Sequence, residues 1–167
     1  MSPNSPELVE TLLAASVIGA CVVPLNTRLI GSEIAYQCDD ADVAYAVVHP
    51  TVSNLGDKGG LLTRRHVHIG EDLEERIRAA DLFQGPRPDP DAPLIQLYTS
   101  GTTGKPKGCL LTQQNWVART TSYAGATSIV PADVVLTSLS LFHVAGLGWA
   151  AVQAAPVVRD GGSCRAK

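Results

Sequence analysis

The 167-residue sequence lacks any long run of basic residues. Its 13 lysines and arginines form no run longer than Arg64-Arg65, and the net charge is −3 with an isoelectric point near 5.7. Proteins that bind nucleic acid or an anionic membrane surface present clustered positive charge, so both of these partners are disfavoured. A small molecule is the expected partner.

The sequence also lacks paired cysteines and an apolar run long enough to span a bilayer. Its four cysteines form no Cys-x-x-Cys pair, which disfavours a zinc site or redox dithiol and favours a reducing, cytoplasmic location. The stretch from Leu12 to Leu25 is shorter than the roughly 20 residues of a membrane helix, and it contains Gly19 and Pro24. We interpret it as a core helix and strand, and we expect no integral membrane segment.

The first half of the chain alternates helix-like and strand-like segments. Ser5-Pro6 is a helix start and Gly19 can end that helix. Further along, the pattern predicts strands at 21–25, 43–48 and 64–69, a short helix at 32–40 and an exposed helix at 71–83. This β-α-β pattern predicts an α/β fold with an open, mostly parallel sheet and flanking helices.

Composition divides the chain into four segments. We predict a β-α-β segment at 1–83, a proline-rich linker at 84–93, a phosphate-loop segment at 94–155 and a disordered tail at 156–167. Within the third segment, the pattern predicts a strand from Leu94, a returning strand at 108–111, a helix from Gln113 capped by Thr112, a strand at 134–139 and a helix at 144–155.

The segment from Tyr98 to Gly108 reads Tyr-Thr-Ser-Gly-Thr-Thr-Gly-Lys-Pro-Lys-Gly and directly follows a strand-like apolar run. Glycines free its backbone, while hydroxyl and ammonium groups surround it, as a polyphosphate site requires. It is not a Walker-type loop, because Pro106 follows Lys105 where that motif has a serine or threonine entering a helix. A small P-loop kinase is therefore disfavoured, whereas a plain glycine-rich turn between two strands remains an alternative.

The same segment resembles the phosphate-loop signature of the acyl-adenylate-forming enzymes, which include acyl-CoA synthetases, luciferases and peptide-synthetase adenylation domains. The segment from Leu141 to Leu147 resembles the family's next motif, and the stretch from Asn4 to Val48 is similar more loosely. Peptide-synthetase domains usually have Phe-Asp where this chain has Phe142-His143, so the resemblance favours acyl-CoA synthetases such as the fatty-acid–CoA ligases. It implies part of that family's large N-terminal domain.

This resemblance implies an ATP-dependent carboxylate–CoA ligase that works through an acyl-adenylate. It implies ATP, Mg²⁺ and a carboxylic acid as ligands, with coenzyme A as a co-substrate whose site lies outside this chain. Thr99 is also implied in holding the magnesium ion. The residues implied in phosphate binding are Thr99, Ser100, Gly101, Thr102, Thr103, Gly104 and Lys107.

His143 resembles a ring that gates the passage between the nucleotide and acyl pockets, with Phe142 in support. Attack of a carboxylate on phosphorus requires no general base, so no proton transfer is assigned to His143. The alternative is a structural histidine in the core at the end of a strand.

Nothing in the sequence resembles the family's adenine- and ribose-binding motifs or the C-terminal domain that carries its catalytic lysine. We therefore expect the isolated chain to be inactive or nearly so, with no catalytic residue of its own and with exposed sheet edges that allow self-association. The alternative function is a non-catalytic remnant that at most binds nucleotide or assembles with another chain.

Overall fold

The computed structural model describes residues 1–100, 104–127 and 134–149, and it has the predicted α/β fold. The α-helices are α1 (Pro6–Ile18), α2 (Gly31–Asp40), α3 (Ser53–Lys58), α4 (Glu71–Ala79) and α5 (Gln113–Thr127). The strands are β1 (Tyr45–Val48), β2 (Arg65–His68), β3 (Pro93–Thr99) and β4 (Lys107–Thr112). Short 3₁₀ helices lie at Pro50–Val52 and Leu61–Thr63, and residues 144–149 are helical.

Strands β1 and β2 form a parallel pair, as the β-α-β pattern predicts, with Tyr45 opposite Arg65. Met1 lies along the other edge of β1: its α-amino group donates to Val47 O at 2.5 Å, and its carbonyl accepts from His49 N at 2.9 Å. A first hydrophobic cluster packs around this pair. It consists of Met1, Leu25, Ile34, Cys38, Ala46, Val48, Val52 and Leu61.

Strands β3 and β4 form an antiparallel hairpin in which Thr99 is opposite Lys107. Val22 makes a parallel bridge to Ile95 of β3: Val22 N donates to Leu94 O at 2.8 Å, and Gln96 N donates to Val22 O at 2.9 Å. A second cluster packs on the hairpin and consists of Leu12, Leu94, Ile95, Trp116 and Leu147. The described strands thus form two two-stranded sheets, one parallel and one antiparallel, where the sequence predicts a single open sheet.

Local sequence signals place the helices well. Helix α1 begins after Ser5 with Pro6 in its first turn, and it ends at Gly19, whose φ of 75° is the left-handed conformation that favours glycine. Helix α5 begins after Thr112, whose hydroxyl accepts from Asn115 N at 3.2 Å. Helix α4 is exposed as predicted but ends at Ala79, four residues before the predicted end.

Two predicted strands are wrong. Residues 134–139 form no strand, and the side chains of Val134 and Leu136 are 99% and 97% exposed. Of the segment 21–25 only Val22 bridges to a strand, and Cys21 is exposed, so the segment is not buried on both faces. Residues 150–155 of the predicted last helix, and the whole predicted tail, lie outside the described residues. None of the described helices combines the length and apolarity that a membrane crossing requires.

Candidate phosphate-binding site

The candidate phosphate loop joins the two strands of the β3–β4 hairpin. Thr99 ends β3 and Lys107 begins β4, and the Thr99 hydroxyl lies 3.5 Å from the Lys107 carbonyl oxygen. This is the outer limit of a hydrogen bond, so the hydroxyl is free to change partner. The hairpin therefore presents a hydroxyl from one strand and an ammonium-bearing residue from the other at the base of the loop.

The described part of the loop is open to solvent. Ser100, Gly104 and Lys105 are exposed, and Gly104 has a φ of 92°; among the described residues, its chain neighbours apart, no atom lies within 4 Å of a Cβ placed on it. Glycine is thus required there by backbone conformation and not by lack of space. Gly101, Thr102 and Thr103, three of the predicted phosphate-binding residues, lie outside the described residues.

Helix α2 lies beside the loop and contacts its exit strand. The Tyr36 hydroxyl donates to Pro106 O at 3.2 Å, and Lys105 Nζ lies 5.5 Å from the centroid of the Tyr36 ring. That distance is within the range of a cation–π contact. Lys105, the first of the loop's two lysines, thus contacts the ring of Tyr36, a residue of a helix that is distant in sequence.

The same helix contacts the strand that enters the loop. Tyr98 Oη donates to Asp40 Oδ2 at 2.6 Å, lies 3.1 Å from Gln37 O and accepts from Gln96 Nε2 at 2.9 Å. Burial, together with the hydrogen bond to the Asp40 carboxylate, raises the pKa of Tyr98 above its ordinary value. Tyr98 therefore remains a neutral donor throughout the physiological range.

A cleft of about 400 Å³ lies between the start of α2 and the loop. Lys105 is its cation, and Glu33 is its carboxylate, although Glu33 Oε2 already accepts from Ile30 N at 3.0 Å. Hydroxyls, a lysine and exposed backbone are the groups that bind phosphate oxygens. The lining residues are Ser32, Glu33, Tyr36, Ser100, Gly104, Lys105 and Pro106.

The described residues offer too few ligands for magnesium alone, but they fit a magnesium ion that is also coordinated by phosphate oxygens. Among them no group of three histidines, cysteines or carboxylates could hold a metal ion, and Thr99 offers a single hydroxyl. Magnesium prefers six oxygen ligands and is commonly held by one or two protein oxygens together with water and substrate phosphates. Thr99 could supply one such oxygen to a magnesium–nucleotide complex.

His143 lies at the start of the helical segment 144–149, where it is exposed. Its carbonyl accepts from Leu147 N at 3.0 Å, and its Nδ1 lies 3.4 Å from Ala145 N. The alternative prediction of a core histidine at a strand end is wrong, whereas the gating role stays a prediction.

A second, larger groove of about 980 Å³ is mostly apolar. Its walls come from α1, α4 and the segments 20–25 and 41–47, and it is also lined by Phe142 and by Pro93, Gln96 and Leu110 of the β3–β4 hairpin. None of Thr99, Ser100 and Lys107 lines this groove. Of the predicted phosphate-binding residues, Ser100 and Gly104 line the smaller cleft, whereas Thr99 and Lys107 line neither space and lie next to that cleft in sequence. The smaller cleft is therefore the candidate phosphate site.

Sequence reasoning missed the residues of α2 that support the loop. Tyr36 lies 70 positions from Pro106, and Asp40 lies 58 positions from Tyr98. The only sequence signal is the spacing of Tyr36 and Asp40, which places them one turn apart on one face of the helix. That spacing does not indicate which part of the chain the face will contact.

Comparison with known proteins identifies the family of the chain. The profile of the AMP-binding enzymes matches residues 1–158, so the chain belongs to the AMP-binding enzyme family. It is 32% identical to a sulfoacetate–CoA ligase from Cupriavidus necator, covering 95% of this chain and 32% of that protein. It is 36% identical to an indoleacetate–CoA ligase from Aromatoleum aromaticum, covering 86% of this chain and 30% of that protein.

The structural comparison gives the same class. The chain matches the ATP-bound structure of MatB from Rhodopseudomonas palustris with a TM-score of 0.77 and 26% identity, covering 89% of this chain and 31% of that one. Relatives and structural neighbours include CoA ligases, which supports ligase chemistry as the kind of function. The chain spans about a third of the length of the curated relatives that it matches.

Proposed function

We propose that this chain carries the phosphate-binding part of an ATP-dependent carboxylate–CoA ligase that works through an acyl-adenylate. The observation that carries the proposal is the β3–β4 hairpin, whose base presents Thr99 and Lys107 opposite each other beside the cleft that contains Lys105. Membership of the AMP-binding family and the CoA ligases among its relatives support the same chemistry.

The chemistry suits this arrangement of donors. When a carboxylate attacks the α-phosphorus of ATP, negative charge grows on the departing pyrophosphate, so stabilising that charge lowers the barrier. Hydrogen bonds to charged oxygens contribute roughly 1.5 to 3 kcal/mol each. In this proposal Lys107, Thr99 and Ser100 hold the phosphate oxygens, together with Gly101, Thr102, Thr103 and Gly104, and Thr99 shares a magnesium ion with them.

The two relatives named above act, by their names, on sulfoacetate and indoleacetate, acids that differ in size and charge. The proposal is therefore restricted to a carboxylic acid as a class. It places the protein among cytoplasmic acyl-CoA synthetases, with the coenzyme A site outside this chain.

The test is binding of Mg–ATP to the 167-residue chain, measured by calorimetry, followed by pyrophosphate exchange with a panel of carboxylic acids. We expect Lys107→Ala to weaken ATP binding roughly ten- to a hundredfold, because it removes a charged hydrogen bond. Lys58→Ala is the matched control, since Lys58 is an exposed lysine at the end of α3. Equal ATP affinity in the unmodified chain and in Lys107→Ala would contradict the proposal.

A second candidate function is a non-catalytic remnant that binds nucleotide or assembles with another chain. The observation that favours it is the exposure of the apolar side chains of Val134 and Leu136, which are available for contact with another chain. ATP binding that depends on Lys107, without pyrophosphate exchange with any acid, would support nucleotide binding by a remnant. Exchange that approaches the rate of a complete ligase would exclude it.

A further inference from the structure

Helix α2 contacts both ends of the candidate phosphate loop. Tyr36 reaches Pro106 on the exit side at 3.2 Å, and Asp40 reaches Tyr98 on the entry side at 2.6 Å. Both side chains project from the same face, because they are four residues apart in one helix. One rigid element therefore sets the separation of the two strands at the base of the loop.

The opposite face of α2 is anchored in the first hydrophobic cluster. Ile34 and Cys38, also four residues apart, are each 0% exposed there. Since a helix moves as a unit, the well-packed face fixes the position of the face that contacts the loop. Helix α2 thus ties the described ends of the loop to the β1–β2 half of the molecule.

Tyr36 makes two separate contacts with the loop. Its hydroxyl donates to the Pro106 carbonyl, and its ring lies 5.5 Å from Lys105 Nζ. Lys105, Tyr36 and Ser100 all line the same cleft. The ring therefore keeps the Lys105 ammonium beside the cleft, where an unsupported lysine side chain would sample many rotamers.

We propose that Tyr36 is a positioning residue for nucleotide binding, which holds Lys105 in the cleft as a second cation for phosphate in addition to Lys107, while Asp40 and Tyr36 together fix the two ends of the loop. This inference rests on the proposed function and extends it to a lysine outside the predicted phosphate-binding set. Preorganisation of this kind increases affinity because less side-chain entropy is lost when the ligand binds.

The two contacts of Tyr36 can be separated by mutation. Tyr36→Phe keeps the ring under Lys105 and removes only the hydrogen bond to Pro106, whereas Tyr36→Leu removes both. We expect Tyr36→Leu to weaken Mg–ATP binding about two- to fivefold, the ratio given by an exposed cation–π contact. Tyr36→Phe should recover most of that loss. Tyr45→Leu is the matched control, because Tyr45 is an exposed tyrosine of β1 outside the cleft.

A double-mutant cycle tests whether Tyr36 acts through Lys105. If it does, Tyr36→Leu should cause a further loss of ATP affinity in a Lys105→Met background no larger than the loss that Tyr36→Phe causes in the unmodified chain. Full additivity of the two changes would overturn the positioning role. Unchanged or increased ATP affinity in Tyr36→Leu would overturn it as well.

Hydrogen exchange of the unliganded chain gives a readout that does not depend on ATP. We expect amides of residues 97–99 and 107–109 to exchange faster in Tyr36→Leu and in Asp40→Asn than in Tyr45→Leu, with equal exchange in β1. Equal exchange at the base of the loop in all three variants would overturn the proposal that Tyr36 and Asp40 fix the two ends of the loop. If the unmodified chain fails to bind Mg–ATP, the proposed function fails, and the exchange rates still decide whether α2 holds the loop.

Discussion

The two hydrophobic clusters differ in what they support. The cluster around β1 and β2 contains eight buried residues from Met1 to Leu61 and no residue of the candidate site. The cluster around β3 and β4 contains five and lies under a hairpin that ends in the exposed Thr99, Ser100 and Lys107. The larger cluster thus lies in one half of the molecule, and the candidate phosphate-binding groups lie in the other.

Helix α2 shows how the two halves depend on each other. Its buried face belongs to the first cluster. Its polar face contacts the β3–β4 hairpin, which packs on the second cluster. A loop that binds phosphate needs exposed donors and flexible backbone, which contribute little to stability. The comparison indicates that such a loop can take its rigidity from a core to which it does not belong.

The largest effect on stability that we expect in either region follows from removing packing under α2. Ile34 is 0% exposed in the first cluster, and Ile34→Ala should lower the free energy of unfolding by roughly 2 to 5 kcal/mol through lost burial and the cavity left behind. Urea unfolding followed by circular dichroism measures this change. Ile77→Ala is the matched control, because Ile77 is 60% exposed on α4 and should change stability by less than about 0.5 kcal/mol.

The ATP affinity of the Ile34→Ala variant tests whether the first cluster affects the candidate site less than it affects stability. Measured where the variant is still folded, its affinity should fall less than that of Lys107→Ala, because every candidate phosphate-binding group remains. If the stability of Ile34→Ala equalled that of Ile77→Ala, the first cluster would not carry the packing that the structure assigns to it.

The sequence predicted the parts of this arrangement that have local causes. Ser5, Pro6 and Gly19 mark the ends of α1, and Thr112 marks the start of α5, because caps act within a few residues. The hairpin around the loop was predicted as well. The phosphate-binding roles of its residues come from a motif and stay predictions.

The failures of prediction have non-local causes. An apolar run such as Val134 to Leu139 becomes a strand only if a partner strand satisfies its backbone, and composition does not show whether the chain supplies one. Likewise, the contact of Tyr36 with Pro106 joins segments 70 residues apart, so no local pattern encodes it. The same reason explains why the sequence does not reveal that the described strands pair as one parallel and one antiparallel pair.

A smaller effect on stability should come from the Met1 α-amino group, which lies beside β1 at the edge of the first cluster. Burial lowers its pKa from 8.0 to about 6. Between these values the unfolded chain binds more protons than the folded one, so stability is lost as the pH falls from 8 to 6. A difference of about two in pKa corresponds to roughly 2 to 3 kcal/mol.

Urea unfolding at pH 8.5 and pH 5.5 tests this in the 167-residue chain with a free Met1 amino group. The control is the same chain acetylated at Met1, which keeps an amide donor for Val47 O and has no titrating amine. Histidines and carboxylates contribute equally to both chains, so the difference between them isolates the amine. Identical pH dependence in the two chains would show that the amine is not buried against β1.

The smallest effect belongs to the second region, at the start of α5. The Thr112 hydroxyl accepts from Asn115 N at 3.2 Å, and Asn115 Oδ1 accepts in return from Thr112 N at 3.2 Å. Thr112→Ala should cost about 1 kcal/mol, the typical value of an N-cap. Because α5 packs on the hairpin through Trp116, this variant should also speed hydrogen exchange in β4.

Thr120→Ala is the matched control for the cap. Thr120 lies inside α5, where its hydroxyl donates to Trp116 O at 2.8 Å, and alanine has the higher helix propensity, so the change should be neutral or slightly stabilising. Exchange in β1 and β2 should be the same in both variants, since these strands pack on the first cluster. Faster exchange in β1 of Thr112→Ala would mean that the two regions unfold as one unit. They would then differ in the chemical groups they expose and not in stability.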